Sequence, residues 1–216
     1  MRLFNMNAKP VIMIGNGGHA RVLVDILLLQ NREIIGYTAP EQEENPYGLD
    51  YIGNDQFLME NFSPSDVELV NGIGSVSSTN LREKLYNEFK SQGYFFSSVI
   101  HPSAIIASTV KLGEGVQILA KAVIQPFAKI VDNTIVNTSA TIDHDCFIGK
   151  HCHIAPGCVL SGSVHVGDGT HIGTGTTIIQ NIRIGRNVLV GAGSLIIRNV
   201  GDNKVVYGIP ASEVEI

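Results

Sequence analysis

From Val99 to Val200 the chain repeats every six residues without interruption. Cut into hexads, it carries Ile, Leu or Val at the second place in all seventeen, from Ile100 to Ile196. The sixth place holds small or β-branched residues such as Ala122, Thr134, Cys146, Val164 and Ile182. Columns that never drift exclude an α-helix, whose 3.6-residue period would carry them around its axis. A hexad is instead one short strand and one corner, the hexapeptide form of a parallel β-helix. Side chains alternate along a strand, so the second and sixth places point inward and the first place points out. Three hexads make one coil, and residues eighteen apart stack in three outward columns. The first column, Lys111, Lys129, Phe147, His165 and Arg183, is solvated. The second, Ile105, Val123, Thr141, Val159, Thr177 and Leu195, has no charge. The third, Val99, Gln117, Ile135, His153, His171 and Leu189, has none when its histidines are neutral. A monomer rarely leaves such stripes in water, so the second and third faces are expected to bury against neighbours, which a closed ring of copies satisfies.

Before Val99 the rhythm changes, and residues 1–98 and 99–216 are expected to form two domains. Val11 to Ile14 reads as a buried strand, Ala20 to Gln30 as a helix and Glu33 to Tyr37 as a second strand. Pro40 to Gly48 is a solvated loop and Asn54 to Asn61 a short helix. Val67 to Asn71 is a third strand, followed by a helix over 79–92 with Leu81, Leu85 and Phe89 on one face. Strands alternating with helices imply a small parallel sheet, an α/β Rossmann-like unit preceding the all-β helix.

Composition narrows the class further. The charge is mildly acidic, with 20 carboxylates against 15 Lys and Arg, and is not patterned like a nucleic-acid binder. The leading Met-Arg-Leu-Phe-Asn-Met-Asn has no apolar core or cleavage site, so no signal peptide is expected. No run approaches the ~18 to 20 apolar residues of a membrane span. Cys146, Cys152 and Cys158 all take the sixth place, so packing is favoured over disulfide or metal chemistry, and a reduced, cytoplasmic protein is expected.

The Gly-Gly-His turn at Gly17-Gly18-His19, the hexads, the segment Thr141-Ile142-Asp143-His144-Asp145 and the tail Gly208-Ile209-Pro210-Ala211 resemble one family over nearly the whole chain. It is the bacterial sialic-acid O-acetyltransferase/UDP-amino-sugar N-acetyltransferase family, and the match is nearest to enzymes making UDP-N,N′-diacetylbacillosamine. The resemblance implies a left-handed β-helix and a homotrimer. It implies transfer from acetyl-CoA, without a metal, to a UDP-amino sugar.

Acetyl transfer to an amine needs a base for the amine proton and a donor for the developing oxyanion. His144 is the one histidine in the fourth hexad place, flanked by Asp143 and Asp145. By itself it could be a solvated corner histidine. The family pattern assigns it as general base, with Asp145, usually Glu in the family, as its hydrogen-bonded acid. The family's second histidine corresponds to His153, which would contact acetyl-CoA, with backbone contacts at Thr174 and Ala192. His165 and His171 are read as surface residues. Gly162 lies one coil above His144, where its N–H could serve as oxyanion donor, or it could be a corner glycine needing positive φ. Arg183, Arg186 and Arg198 are candidates for the CoA phosphates.

Gly15-Asn16-Gly17-Gly18-His19 opens a helix after a strand, which suits phosphates resting on backbone N–H groups. A nicotinamide site would want an acid after the second strand, where this chain has Tyr37-Thr38-Ala39. The resemblance places the UDP-sugar on Gly17, Gly18, His19 and Gly74, with Thr38 near the uridine. The alternative for Gly17 and Gly18 is tight helix–strand packing. Two other functions fit parts of the pattern: O-acetylation of a sialic-acid-type acceptor, and a non-catalytic nucleotide-binding module that only trimerises. His19 favours the amino sugar over the first, and the His144–Asp145 pair argues against the second.

Overall fold

The computed structural model describes residues 9–76 and 78–214; the leading heptapeptide, where no signal peptide is expected, lies outside them. The N-terminal unit runs β1 (Val11–Ile14), α1 (Gly18–Leu29), β2 (Ile34–Thr38), β3 (Tyr51–Gly53), α2 (Asp55–Asn61), β4 (Glu68–Asn71) and α3 (Asn80–Ser91). Its strands are parallel in the order β3-β2-β1-β4. β1 is buried along its length, as an apolar run covered on both faces should be. The short β3 was not expected from the sequence, where it follows the acidic loop without an alternating pattern.

α3 turns a different face inward from the one anticipated. Arg82, Tyr86 and Phe89 are buried, while Leu81 is 57% exposed. The cause is Arg82, whose guanidinium is drawn inward by carbonyl oxygens. Nη1 donates to Asn71 and Ile73 at 2.8 Å each, and Nε donates to Asn133 at 3.2 Å. Its Nη2 has no partner among the described residues.

The two-residue strands from Val99–Ile100 to Leu195–Ile196 stack into three parallel sheets. Residues eighteen apart are in register, as in Lys129↔Phe147, Ile135↔His153 and Thr141↔Val159. This is the left-handed parallel β-helix. The second and sixth places fill its interior, and a fully buried Ile such as Ile142 or Ile148 contributes about 1.5–3 kcal/mol. Corners turn on the fifth place, which is left-handed in every hexad from Gly115 to Gly193. The cysteines are buried, and each thiol donates to a carbonyl: Cys146 to Ser161, Cys152 to Gly167 and Cys158 to Gly173. Burial pushes their thiols up to about 11, 12 and 11, so they are packing groups and not thiolate nucleophiles. The tail closes the end of the sheet with the antiparallel pair Val205–Gly208 and Ala211–Glu213.

One expectation about the faces is overturned. The third column is not left for a neighbouring chain, because this chain's own N-terminal unit covers it. Gln117, Ile135, His153 and His171 are all under 8% exposed, so His171 is not a surface residue. The covering contacts are polar: His19 to Gln117 at 2.7 Å, and Ser75 Oγ to His153 and His171 at 2.7 and 3.3 Å. His165, on the first column, is exposed as expected. The second column stays open, with Ile105 66% and Val159 42% exposed.

Candidate functional site

Where the N-terminal unit meets the third face, two cavities lie end to end. The first, of about 700 Å³, is lined by Gly17, Gly18, His19, Gly74, Thr138 and His153 among others. A Cβ built on Gly17 or Gly18 meets nothing within 4 Å, so these glycines open the floor of a cleft and do not serve helix–strand packing. The packing glycine is Gly72, whose added Cβ would lie 2.7 Å from the Ile14 carbonyl oxygen and 2.8 Å from Ala20 Cβ. Thr38 is fully buried, and its hydroxyl donates to Asp55 at 2.7 Å. It therefore sits apart from the residues that line the cleft.

Hydrogen bonds set the form of each histidine in this cleft. Gln117 Nε2 donates to the Asn71 carbonyl at 2.7 Å, which turns Gln117 Oε1 toward His19 Nε2. His19 thus carries its proton on Nε2 and keeps a lone pair on Nδ1. Burial, then the nearby Arg82 charge, lowers its pKa to about 4, so it is a neutral acceptor at pH 7. Asn137 Oδ1 accepts from the Thr138 N–H, so its amide nitrogen donates to His153 Nε2 at 3.0 Å. His153 is therefore protonated on Nδ1, which donates to Ser75. Burial, followed by His171, His19 and Arg82, lowers its pKa to about 3. Because His153 donates to Ser75, the pair is not a base-activated serine nucleophile.

The second cavity, of about 570 Å³, continues from Ser75 and His153 along Pro156, Thr174, Ala192 and Tyr207. Its walls are mostly apolar backbone and side chains on the corner between the third and second faces, which suits an extended acyl carrier more than a charged group. His153, Thr174 and Ala192 thus share one groove, and Gly17, Gly18, His19 and Gly74 share the other.

His144 and Asp145 stand elsewhere, on the corner between the second and first faces. Asp145 is itself the left-handed residue of that corner (φ 58), which brings its carboxylate back onto its neighbour. His144 Nδ1 donates to Asp145 Oδ2 at 2.8 Å, leaving the Nε2 lone pair free. That bond raises the His144 pKa, and the charges of Asp143 and Asp145 add to it while desolvation opposes. Gly162 is not in the left-handed region, so the turn does not require glycine there. What requires it is His144: a Cβ on Gly162 would lie 2.6 Å from both Cε1 and Nε2 of the ring. Within one chain neither His144 nor Gly162 lines either cavity.

Arg183 and Arg186 line a shallow hollow of about 330 Å³ on the first face, with His165. Arg198 stands on the corner of His144 and Gly162, two coils above Gly162. The sequence reading did not single out Ser75, Gln117 or Asn137. The available signal was a Gln and two His in a column otherwise filled by Val, Ile and Leu. Among the described residues no three His, Cys, Asp or Glu gather as a metal site would need.

Two family models match the chain. The PglD N-terminal domain covers residues 10–89, and the bacterial transferase hexapeptide (six repeats) covers residues 163–198. The chain is similar to PerB from Caulobacter crescentus in complex with CoA and GDP-perosamine, at 32% identity over 95% of this chain and 97% of that one, with a TM-score of 0.88. A mutant of perosamine N-acetyltransferase from that organism matches at 31% identity over 96% and 97%, also with 0.88. The acetyltransferase domain of PglB from Neisseria gonorrhoeae in complex with acetyl coenzyme A matches at 29% identity over 96% and 100%, with a TM-score of 0.89.

Proposed function

Because the chain belongs to the acetyl-CoA-dependent sugar N-acetyltransferases of the left-handed β-helix family, we propose that its acceptor is a UDP-4-amino-4,6-dideoxy-N-acetylhexosamine. The product is UDP-N,N′-diacetylbacillosamine or a close relative, made in the cytoplasm for glycan assembly. Residues 1–98 hold the sugar nucleotide over Gly17, Gly18, His19 and Gly74, and residues 99–216 hold acetyl-CoA along His153, Thr174 and Ala192. The observation that carries this reading is the meeting of two cavities at Ser75 and His153, one polar-floored and one a mostly apolar groove.

The active unit is a homotrimer with the uncharged second faces turned to the axis. In that ring the corner bearing the cavities of one subunit meets the His144 corner of the next. Eighteen residues rise by one strand spacing, about 4.8 Å, so position in the repeats measures height. A threefold axis parallel to the β-helix axis preserves that height between subunits. His144 then stands roughly a third of a coil above Thr138 and two-thirds below Pro156, at the level where the cavities join. Gly162 is one coil higher, beside the second cavity. Arg198 is three coils, about 14 Å, above His144. An extended pantetheine arm, about four residue lengths of ~3.5 Å, spans the same distance. Arg198 is therefore favoured over Arg183 and Arg186 for the CoA phosphates.

His144 Nε2 takes the proton of the acceptor amine as its nitrogen attacks the thioester carbonyl carbon. The Gly162 N–H donates to the oxygen that becomes negative. Collapse of the tetrahedral species breaks the C–S bond, and the His144 imidazolium returns its proton to the departing CoA sulfur. Asp145 holds the ring in the Nδ1–H form throughout and stabilises its charged state.

A panel of UDP- and GDP-linked 4-amino sugars incubated with acetyl-CoA, with free thiol measured, tests the proposal. Turnover of the UDP-linked 4-amino-4,6-dideoxy sugar supports it, and turnover confined to hydroxyl acceptors would overturn it. The 32% identity to PerB, bound to GDP-perosamine, favours a second reading in which the nucleotide is GDP. Selective turnover of the GDP-linked acceptors would establish it.

A further inference from the structure

The fifth hexad place contains one residue unlike the rest of its column. From Gly115 to Gly193 this place has φ between 53 and 69 in every hexad. Its occupants are Gly, Asn, Ser, Lys, Asp and His, with one exception, Phe127 (φ 63). A bulky side chain in the left-handed region is a strained choice, and Asn would remove the strain. Nor is the ring repaid by burial, since Phe127 is 67% exposed. Strain combined with an exposed aromatic marks a residue kept for a contact outside its own chain.

Its position says which contact. Phe127 lies one coil below Asp145, on the same corner. The corner is pinned by two bonds: Asp145 N–H donates to the Pro126 carbonyl at 3.1 Å, and Phe127 N–H donates to Thr109 Oγ1 at 3.0 Å. The Phe127 backbone thus has a defined offset from His144, toward the N-terminal coils. At that height the facing corner carries Leu119 and Thr138, which wall the sugar-nucleotide cavity, whereas Thr174 and Ala192 of the other groove lie well above. The mouth of this cavity is apolar, with Val22, Val76 and Leu81 exposed by 44, 90 and 57%.

We propose that Phe127 completes the acceptor cavity of the neighbouring subunit, its ring lying against the apolar C–H face of the amino sugar whose nitrogen is presented to His144. This rests on the acetyltransfer reading and on the ring of three. A pyranose lacking its 6-hydroxyl presents a methyl group and axial hydrogens that a flat ring covers well, and the exposed mouth lets the ring in. The nucleotide is anchored by backbone at Gly17 and Gly18, so Phe127 selects the sugar and not the base. It is a specificity residue for the acceptor, and acetyl-CoA does not meet it.

Phe127→Asn tests this, because the substitution suits the backbone and does not endanger the fold. The trimer mass should be retained, and Tm should rise by about 2–4 °C as the strain is relieved. KM for the amino-sugar nucleotide should rise about tenfold, worth ~1.4 kcal/mol, while KM for acetyl-CoA stays within twofold. Phe127→Tyr, which keeps the flat ring, should restore the sugar KM. An unchanged sugar KM in the Asn variant overturns the proposal. So does an equal rise for both substrates, or loss of the trimer, which would make the ring an interface contact. Wild-type turnover is read first: its absence would sink the acetyltransfer reading itself, whereas active wild type with an indifferent Asn variant sinks the role of Phe127 alone.

Discussion

Gly162→Ala asks whether the gap beneath His144 matters to the chemistry and not to the fold. The added Cβ would stand 2.6 Å from Cε1 and Nε2 and 3.2 Å from Cδ2 of the His144 ring. Non-bonded carbon contacts settle near ~3.5 Å, so the tip of the ring must retreat by about 1 Å. It has room to do so, since the His144 side chain is 57% exposed. Gly162 is outside the left-handed region, so alanine adds no backbone penalty, and stability should stay within about 1 kcal/mol of wild type. A catalytic group moved by ~1 Å can cost on the order of 10²-fold in rate. The expected result is a kcat lower by about two orders of magnitude at unchanged Tm, measured by thiol release from acetyl-CoA and by thermal melting. A folded variant within threefold of wild-type kcat would refute the placing of His144 Nε2 and the Gly162 N–H at the reaction centre.

Other perturbations separate the roles of the remaining residues. The Asp145 hydrogen bond raises the His144 pKa, so the acid limb of kcat/KM should lie above 6.5. Asp145→Asn should move that limb to lower pH and lower the plateau; a limb that stays in place removes His144 as the titrating base. His19→Ala and Gly17→Val should weaken UDP-sugar binding by calorimetry and leave acetyl-CoA affinity within twofold, whereas equal losses would indicate misfolding. His153, held neutral with a pKa of about 3, must be deprotonated to stay buried, so its contribution is complete above ~6.5 and is lost as pH falls. At pH 5 it should cost the fold about 2 kcal/mol, and His153→Gln should flatten the drop in Tm between pH 7 and 5. Mixing inactive His144→Ala and Gly17→Val trimers under subunit exchange should regenerate activity, because each supplies the corner the other lacks. Verified exchange without recovery would contradict a site shared between chains.

The coils were legible because each one imposes the same geometry on every hexad, so an inward column writes itself into the sequence seventeen times. The His144–Asp145 pair was legible through its resemblance to the family motif, because titratable neighbours at a corner also occur at Lys150-His151 and do not by themselves mark a site. The covering of the third face was not, since docking of a separate unit follows no period, and a column of Val99, Gln117, Ile135, His153 and His171 looked merely uncharged. Yet its polar members differ in kind from those of the second column. Gln117 is met by His19, and His153 and His171 are met by Ser75, so each buried polar group finds its partner within the chain. The second column has no side chain more polar than Thr141 and Thr177, and its Ile105 and Val159 remain open. A face covered by its own chain needs polar addresses that fix one docking pose across a long connection. A face meeting copies of itself around an axis has its pose fixed by symmetry, and apolar contact suffices. The column without polar addresses is therefore the one that the ring of three would bury, and it is flanked by the two corners that such a ring must bring together.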